Sequence, residues 1–554
     1  MKRLVVLAIL AVLLGGWTHG NAGSGGPFTF TPLHLYFMTN AAGGGSDSAD
    51  GTTPTVTGGH GPWLTPNHAV NCGDVILAAA VTFPAFNTNI GGASGTANSP
   101  ANCPSTSGGI DGTGGINAAI ILCAASSVGG CTVSGGPTDI MFDFATSVSG
   151  ADMGNWAVEG FTISSSAASS STSTAIFLDA LNQTAHTTHH IIAVNNIITT
   201  NAVGLSAGSN EPASPSTKSW DYFAGVGNIV QNSNIHNVCL GAINLNGPSN
   251  FDTNAGTHVY VRGNYVWGNT TSNTACGIGS DMEGILIDTW DLHSYTQTLA
   301  IVDNIVYTST GFGIQFEFSN NSTTAIPMSV HHNTFYDNDV SYPTNPCTGC
   351  ALGDVSMQSG GGSTPMPWAI VFRNNISLTA RATSNSGIVY ALLATGGTNT
   401  AVTIGGTGNE NILLGSATVC GGTCDSGSAP FSANGQNGAS IGTNIYTNPT
   451  FTNTTDLISN RNGVPSCSGF TTTTACMGWV ASTSTLTTPS TISDLVAGCG
   501  SCSGKGYRKP SVTCAPDAEY PSFLKGLVYL SASGFTTGAT ITENPGLVTK
   551  PCNM

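Results

Sequence analysis

One pattern of apolar and polar positions recurs along the middle of the chain. An apolar residue is followed by two spacers, an Asn and a short apolar-rich stretch. It reads Ala193-Val-Asn-Asn196-Ile-Ile, Val261-Arg-Gly-Asn264-Tyr-Val, Ile301-Val-Asp-Asn304-Ile-Val, Val330-His-His-Asn333-Thr-Phe and Phe372-Arg-Asn-Asn375-Ile-Ser. Weaker copies fall at Asn234, Asn411 and Asn444, and Gly160 stands in the same place in an early copy. Successive Asn lie 29 to 42 residues apart (304 to 333 and 333 to 375 are the extremes), which suits a constant strand frame with variable turn insertions. A second phrase follows most copies: Ala242-Ile-Asn-Leu-Asn246, Gly284-Ile-Leu-Ile-Asp288, Gly313-Ile-Gln-Phe-Glu317 and Gly387-Ile-Val-Tyr-Ala391. Alternation turns Ile243, Leu245, Ile285, Ile287, Ile314 and Phe316 inward. It turns Asn244, Asn246, Leu286, Asp288, Gln315 and Glu317 outward. Two strand phrases per repeat predict two stacked parallel sheets, and a third, less regular strand closes each coil. The repeated Asn is expected at the bend between strands. There its amide can bond backbone groups that lack ladder partners, and its neighbours one coil above and below.

Composition agrees with an all-β solenoid. The chain has 554 residues, 72 of them Gly, and only 7% are charged, far fewer than a helical protein of this size carries. Forty per cent hydrophobic content suffices for a core. Residues 1–22 read as an export signal. Lys2 and Arg3 precede the apolar Leu4 to Leu14, and Gly20-Asn21-Ala22 offers a small-x-small cleavage site. No later apolar run is long enough to span a membrane, so a secreted, extracellular protein is expected. Sixteen cysteines in an exported chain read as disulfides, with short separations such as Cys123 to Cys131 and Cys347 to Cys350. Twelve basic against 28 acidic residues give a net charge of -16, which argues against nucleic acid or an anionic membrane as partner. The division expected is signal peptide 1–22, N-terminal cap and first coils 23–150, regular coils 151–455, and a disulfide-stapled C-terminal cap 456–554.

At this point the sequence resembles the pectate lyase-like superfamily of secreted bacterial β-helix repeat proteins, all-β and built as a right-handed single-stranded parallel β-helix. Gly45-Ser-Asp-Ser-Ala-Asp-Gly51, Pro62-Trp63 and Asn71-Cys-Gly-Asp-Val-Ile76 are similar to the superfamily's N-terminal start. Thr447-Asn-Pro-Thr-Phe451 is similar to a phrase that closes such helices. The resemblance covers about residues 45 to 455 and implies polysaccharide as partner and calcium as cofactor.

Candidate chemistry concentrates in Ser280-Asp-Met-Glu-Gly-Ile-Leu-Ile-Asp-Thr-Trp-Asp291, with Glu317 one coil later at the offset of Asp288. Asp281, Glu283, Asp288, Asp291 and Glu317 are the expected metal ligands, since a hard cation gathers carboxylate and amide oxygens. Asn246, in the column of Asp288, and the aromatic Trp290 and Tyr295 are the expected glycan contacts. Glu283, Asp288 and Glu317 are the catalytic carboxylates, with Lys218, Arg262 or His293 as the base that a lyase needs. His186, His189, His190, His331 and His332 are read as turn polarity. Three functions follow. The first is a calcium-assisted polysaccharide lyase. The second is a glycoside hydrolase with two carboxylates about 5–9 Å apart. The third is a non-catalytic carbohydrate-binding or surface structural protein.

Overall fold

The computed structural model describes residues 28–86, 90, 99–103, 116–125, 130–136, 139–144, 152–165, 173–178, 187–200, 203–207, 220–232, 241–268, 283–288, 295–307, 312–316, 326–336, 338, 351–357, 368–378, 388–390, 393–394, 402–414, 440–445, 505–506, 519–524, 526–527 and 529–543. Among them, three long parallel sheets run side by side. A first sheet of 12 strands extends from Leu35–Met38 to Ser440–Ile441. A second of 10 runs from Thr82–Pro84 to Ile412–Leu414, and a third of 8 from Ile140–Asp143 to Leu393–Ala394. The chain visits them in turn. Asp152–Glu159 lies in the first sheet, Phe161–Ser165 in the second and Thr174–Leu178 in the third, before Thr187–Val194 returns to the first, parallel to Asp152–Glu159. This is the parallel β-helix expected from the sequence. The inward positions hold as predicted. Ile243, Leu245, Ile285, Ile287, Ile314 and Phe316 are fully buried in one continuous core.

The bend between first and second sheets carries the Asn ladder. The Oδ1 of Asn264 accepts from the backbone N–H of Asn228 at 2.9 Å and from its Nδ2 at 3.0 Å, while Asn264 Nδ2 donates to the Gly225 carbonyl at 2.8 Å. The same bonding links Asn196, Asn228, Asn264, Asn304, Asn333, Asn375, Asn411 and Asn444. Two expectations are corrected. The rung in the second coil is Asn228, which lies 32 residues after Asn196 and 36 before Asn264; Asn234 lies outside the described residues. Gly160 does not take the place of the ladder Asn. The strand register aligns it with Asn195 and leaves Phe161 opposite Asn196. Its backbone is left-handed, with φ +85°, like Asn195, Gly227, Gly263, Asp303, His332 and Asn374 in later coils. From Asn195 to Asn375 the bend thus uses two residues, one of positive φ and then an Asn. Gly, Asn, Asp and His fill the first place, the residues that enter that backbone most readily.

A second column runs along the start of the first sheet. Asn155, His190 and Tyr222 are aligned there, each with positive φ, and His258 follows. His190 stacks on Tyr222 at 4.0 Å and Tyr222 on His258 at 3.7 Å. Buried Asp221 holds this stack in place. It accepts the Tyr222 and Phe251 amides at 2.8 Å, the Tyr295 hydroxyl at 2.8 Å and faces His258 Nδ1 at 3.0 Å. His189 and His190 are thus buried parts of a packed column. His331 and His332 do sit just before Asn333 on the bend, with His332 at φ +55°.

The first sheet is apolar on both faces. Val75, Leu77, Ile120, Leu122, Val194 and Val226 point away from the central core into a second buried cluster. The described part of the C-terminal segment covers them, travelling back along the coils. Lys505 bonds Asn374 and Glu410, Tyr520 meets Tyr260, Phe523 meets His190 and Tyr222, and Phe535 meets Phe37. Leu530–Ala532 and Ile541–Glu543 then form an antiparallel sheet with Phe28–Phe30. The strap also covers a row of charges. Glu159, Arg262, His331 and Arg373 share one outward register row with Leu122, Val194, Val226 and Val302. Glu519 of the strap bonds Ser329 Oγ at 2.6 Å, pairs with His331, and lies 3.4 Å from Arg373. Of the expected 456–554 segment, residues 456–504 lie outside the described set. Cys72 pairs with Cys103, and Cys123 with Cys131. The other twelve cysteines of the sixteen also lie outside it.

Two outcomes follow. Asn304→Ala removes one rung and leaves the Asn264 amide and the Val261 carbonyl buried without partners. Denaturant unfolding should show a loss on the order of 3 kcal/mol, more than an exposed Asn→Ala control. For Glu519, burial raises the carboxyl, but bonds from His331 and Ser329 and the nearby charges of His331 and Arg373 outweigh it and hold it at about 2. Its contribution is full above the ordinary value of 4.5 and is lost as pH falls toward 2. Amide exchange around Ser522–Leu524 should therefore accelerate in that window, and Glu519→Gln should flatten the response.

Candidate functional site

The outward face of the third sheet is where the sequence places the chemistry. Ser206, Asn244, Leu286, Gln315 and Ser356 form one register row across it. Two residues along, Asn246 lies in register with Asp288. The Trp220 indole N–H donates to the Asn246 carbonyl, and the Gly247 amide donates to the Asp288 carbonyl at 3.0 Å. The backbone at this corner is thus fixed from both sides. All of these side chains are buried, with Asn246 at 8% and Asp288 at 7% exposure. Asn244 is 1% exposed, and neither its amide nitrogen nor its amide oxygen is hydrogen-bonded. The Asn246 Oδ1 is likewise buried and unbonded. An unpaired buried amide costs about 1–3 kcal/mol, so two at alternate positions on one face of a strand mark a place that a further polar group or cation would complete.

The predicted residues divide into three groups. Asn246 and Asp288 come together as expected. Asp281, Asp291, Glu317, Lys218, His293 and Trp290 lie outside the described residues. Glu283, Arg262 and Tyr295 are placed elsewhere. Glu283 is buried and precedes the strand Ile285–Asp288, five positions from Asp288. It lies outside that strand, across the Gly284 bend from Asp288. Arg262 lies on the first sheet, 3% exposed, with Nε 3.3 Å from Asp303 Oδ2 and Nη1 3.3 Å from the Tyr260 hydroxyl. It is a structural ion pair beneath the strap, on a different face from Asp288. Tyr295 is fully buried in the core and gives its hydroxyl to Asp221, so it is closed to glycan. Burial and the Asp221 carboxylate push its phenol well up from the usual range.

Sequence reasoning missed Asn244 as a site residue, although it named its outward face, because an Asn in a repeat rich in Asn carries no separate signal. It also missed Asp221. The signal available there was an acidic residue inside the aromatic run Trp220-Asp221-Tyr222-Phe223. Among the described residues, no three acidic, His or Cys side chains converge as a metal site. The described part of the corner offers calcium two oxygen-bearing side chains, Asn246 and Asp288. That suits a hard cation in donor type, and Asn246 Oδ1 has no competing bond.

No family model matches the chain, and no curated protein matches it. Two solved structures are similar to it. One is the crystal structure of pectate lyase Pel9A, at 15% identity and a TM-score of 0.29, over 64% of this chain and 78% of that one. The other is the A-module of the Azotobacter vinelandii mannuronan C-5 epimerase AlgE4, at 10% identity and a TM-score of 0.20, over 67% of this chain and 86% of that one. Likeness at this level carries neither substrate nor chemistry across.

Proposed function

We propose that this is a secreted polysaccharide-acting β-helix protein, and that the corner formed by Asn246 and Asp288 holds calcium for a lyase reaction. The observation that carries the reading is the buried, unbonded Asn246 amide oxygen in register with the Asp288 carboxylate. Asp291 and Glu317, expected from the sequence beside Asp288, are the remaining candidate donors toward the six to eight oxygens that calcium takes. Calcium, when bound, supplies the positive charge that a uronate carboxylate needs in a chain of net charge -16, and acidifies the proton next to that carboxylate. Asn246 and Asp288 orient the cation, and the Trp220 and Gly247 bonds keep their backbone from shifting. Lys218 and His293 remain the candidate bases once Arg262 is assigned to its pair with Asp303.

A second reading, non-catalytic carbohydrate binding, has its own observation. Arg262 pairs with Asp303, Arg373 with Glu519 and Lys505 with Glu410, so these three cations are engaged in holding the fold.

A glycan panel with and without calcium, read by unsaturated-uronate absorbance and by reducing ends, separates these. The lyase reading expects calcium-dependent absorbance, reduced at least tenfold in Asp288→Ala and less in Asn246→Ala. Reducing ends without absorbance indicate hydrolysis, and retained binding without turnover indicates the second reading. If calorimetry finds the same calcium affinity in wild type and Asp288→Ala, the proposed corner is rejected.

A further inference from the structure

The charges beneath the strap match at one end and conflict at the other. Glu519 meets His331 and Arg373, and Lys505 meets Glu410, so each of these contacts joins opposite charges. At the far end, Glu159 of the first sheet is fully buried beneath the Leu530–Ala532 strand, and Glu543, opposite Leu530 on the next strand, is near enough for its charge to act on Glu159. Neither Glu159 oxygen reaches a hydrogen bond of full geometry, although the Tyr529 and Leu530 amides lie alongside. Glu543 is 8% exposed, beside the Gly526 amide.

The surroundings supply no described counter-charge. The row neighbours of Glu159 are Leu122 and Val194. The strand on the other side of Ile541–Glu543 is Phe28–Phe30, which has no titratable group. Among the described residues, Tyr520 and Tyr529 of the strap, with Tyr260 and Arg262 from the first sheet, are the other titratable groups near the pair. Arg262 is three rows from Glu159 and is bound to Asp303. Lys525 lies outside the described residues.

We propose that the Glu159–Glu543 pair is a proton-dependent latch, which holds the hairpin Leu530–Glu543 on the first sheet while both carboxyls are neutral and releases it when they ionise. Two carboxylates buried side by side without a cation repel each other and lose their hydration, whereas two carboxylic acids do neither. Burial, joined for Glu159 by the neighbouring Glu543, pushes both groups up, Glu543 to about 7. A carboxyl raised in the docked state stabilises docking below its undocked value of 4.5, and that contribution is lost as pH rises through about 7. This is opposite in sign to Glu519 at the other end, which loosens toward acid. The strap is therefore held at both ends in mildly acidic solution and freed first at the hairpin above neutral pH. Release would uncover the apolar outer face of Leu77, Ile120 and Leu122.

Hydrogen exchange of the full chain, corrected for the intrinsic pH dependence of amide exchange, tests the latch. With Glu543 moved from 4.5 to about 7, its titration alone weakens docking on the order of thirtyfold between pH 5.5 and 8.5. Exchange in Leu530–Glu543 should accelerate accordingly, while the Asn-ladder strands stay unchanged. Glu543→Gln and Glu159→Gln keep the shape of each side chain and should each reduce the response at least threefold. Glu519→Gln should leave the hairpin response intact. A hairpin whose exchange is independent of pH overturns the latch, as would a full response in both Gln variants or loss of the response in Glu519→Gln.

Discussion

Everything in this molecule depends on satisfying the backbone at a bend that is buried in every coil. Where the first sheet turns into the second, the chain leaves one ladder before it has entered the next. Its amides are then out of reach of both water and strand partners. The Asn side chain resolves this by bonding upward to an Asn and an amide and downward to a carbonyl. Each rung is useful only if the next coil supplies another Asn in the same place. The ladder is therefore a device for copying register. A coil that slipped by one residue would lose its rung and also turn its apolar residues outward.

That constraint explains why the turns can vary while the strands cannot. Insertions enter elsewhere in the coil, and the Asn bend recurs after 29, 32, 36, 40 or 42 residues with unchanged hydrogen bonding. It also explains the strap. Successive parallel strands buried on both faces read as near-continuous apolar runs, as in Val75–Ala78 and Ala119–Cys123. Such a sheet needs a cover along its length, and a solenoid provides none from within its own coils. The C-terminal segment supplies it by running back over many coils, so distant parts of the solenoid are tied together by one piece of chain.

The fold was legible because its two signals are local. The Asn offset and the period-two alternation can each be read within ten residues, and both describe what the structure contains. The error at Asn234 is instructive. Asn228 follows Gly227, a left-handed position, and the residue at that place carries information that the apolar residue three before the Asn does not. With that preceding residue included, Gly160 also falls into its proper place. The site was less legible, because closeness along the chain does not give closeness on a strand. Glu283 and Asp288 look clustered over six residues, yet Glu283 lies before the strand that carries Asp288. Arg262 and Tyr295 are near the acidic run in sequence and on other faces in space. The strap could not be read at all, since its contacts join residues far apart in the chain, as Glu519 with His331 shows.

The distribution of charge then separates stability from function. A chain with 12 basic residues has few to commit, and Arg262, Arg373 and Lys505 are committed to Asp303, Glu519 and Glu410. All three lie at the bend or under the strap, on the side of the coil that carries the mechanical load. The outer face of the third sheet differs in kind. Its described side chains are hydroxyl, amide and carboxylate groups together with Phe177 and Leu286, and its unbonded amides are held by a rigid sheet rather than by one another. Polar groups kept apart and unsatisfied on a fixed backbone cost stability without repaying it through packing. The same cost is what a binding face must carry if it is to meet a cation or a sugar hydroxyl without first breaking bonds of its own. On that ground the third sheet, rather than the more elaborate network around Asp221 and the strap, is the face on which function should be sought.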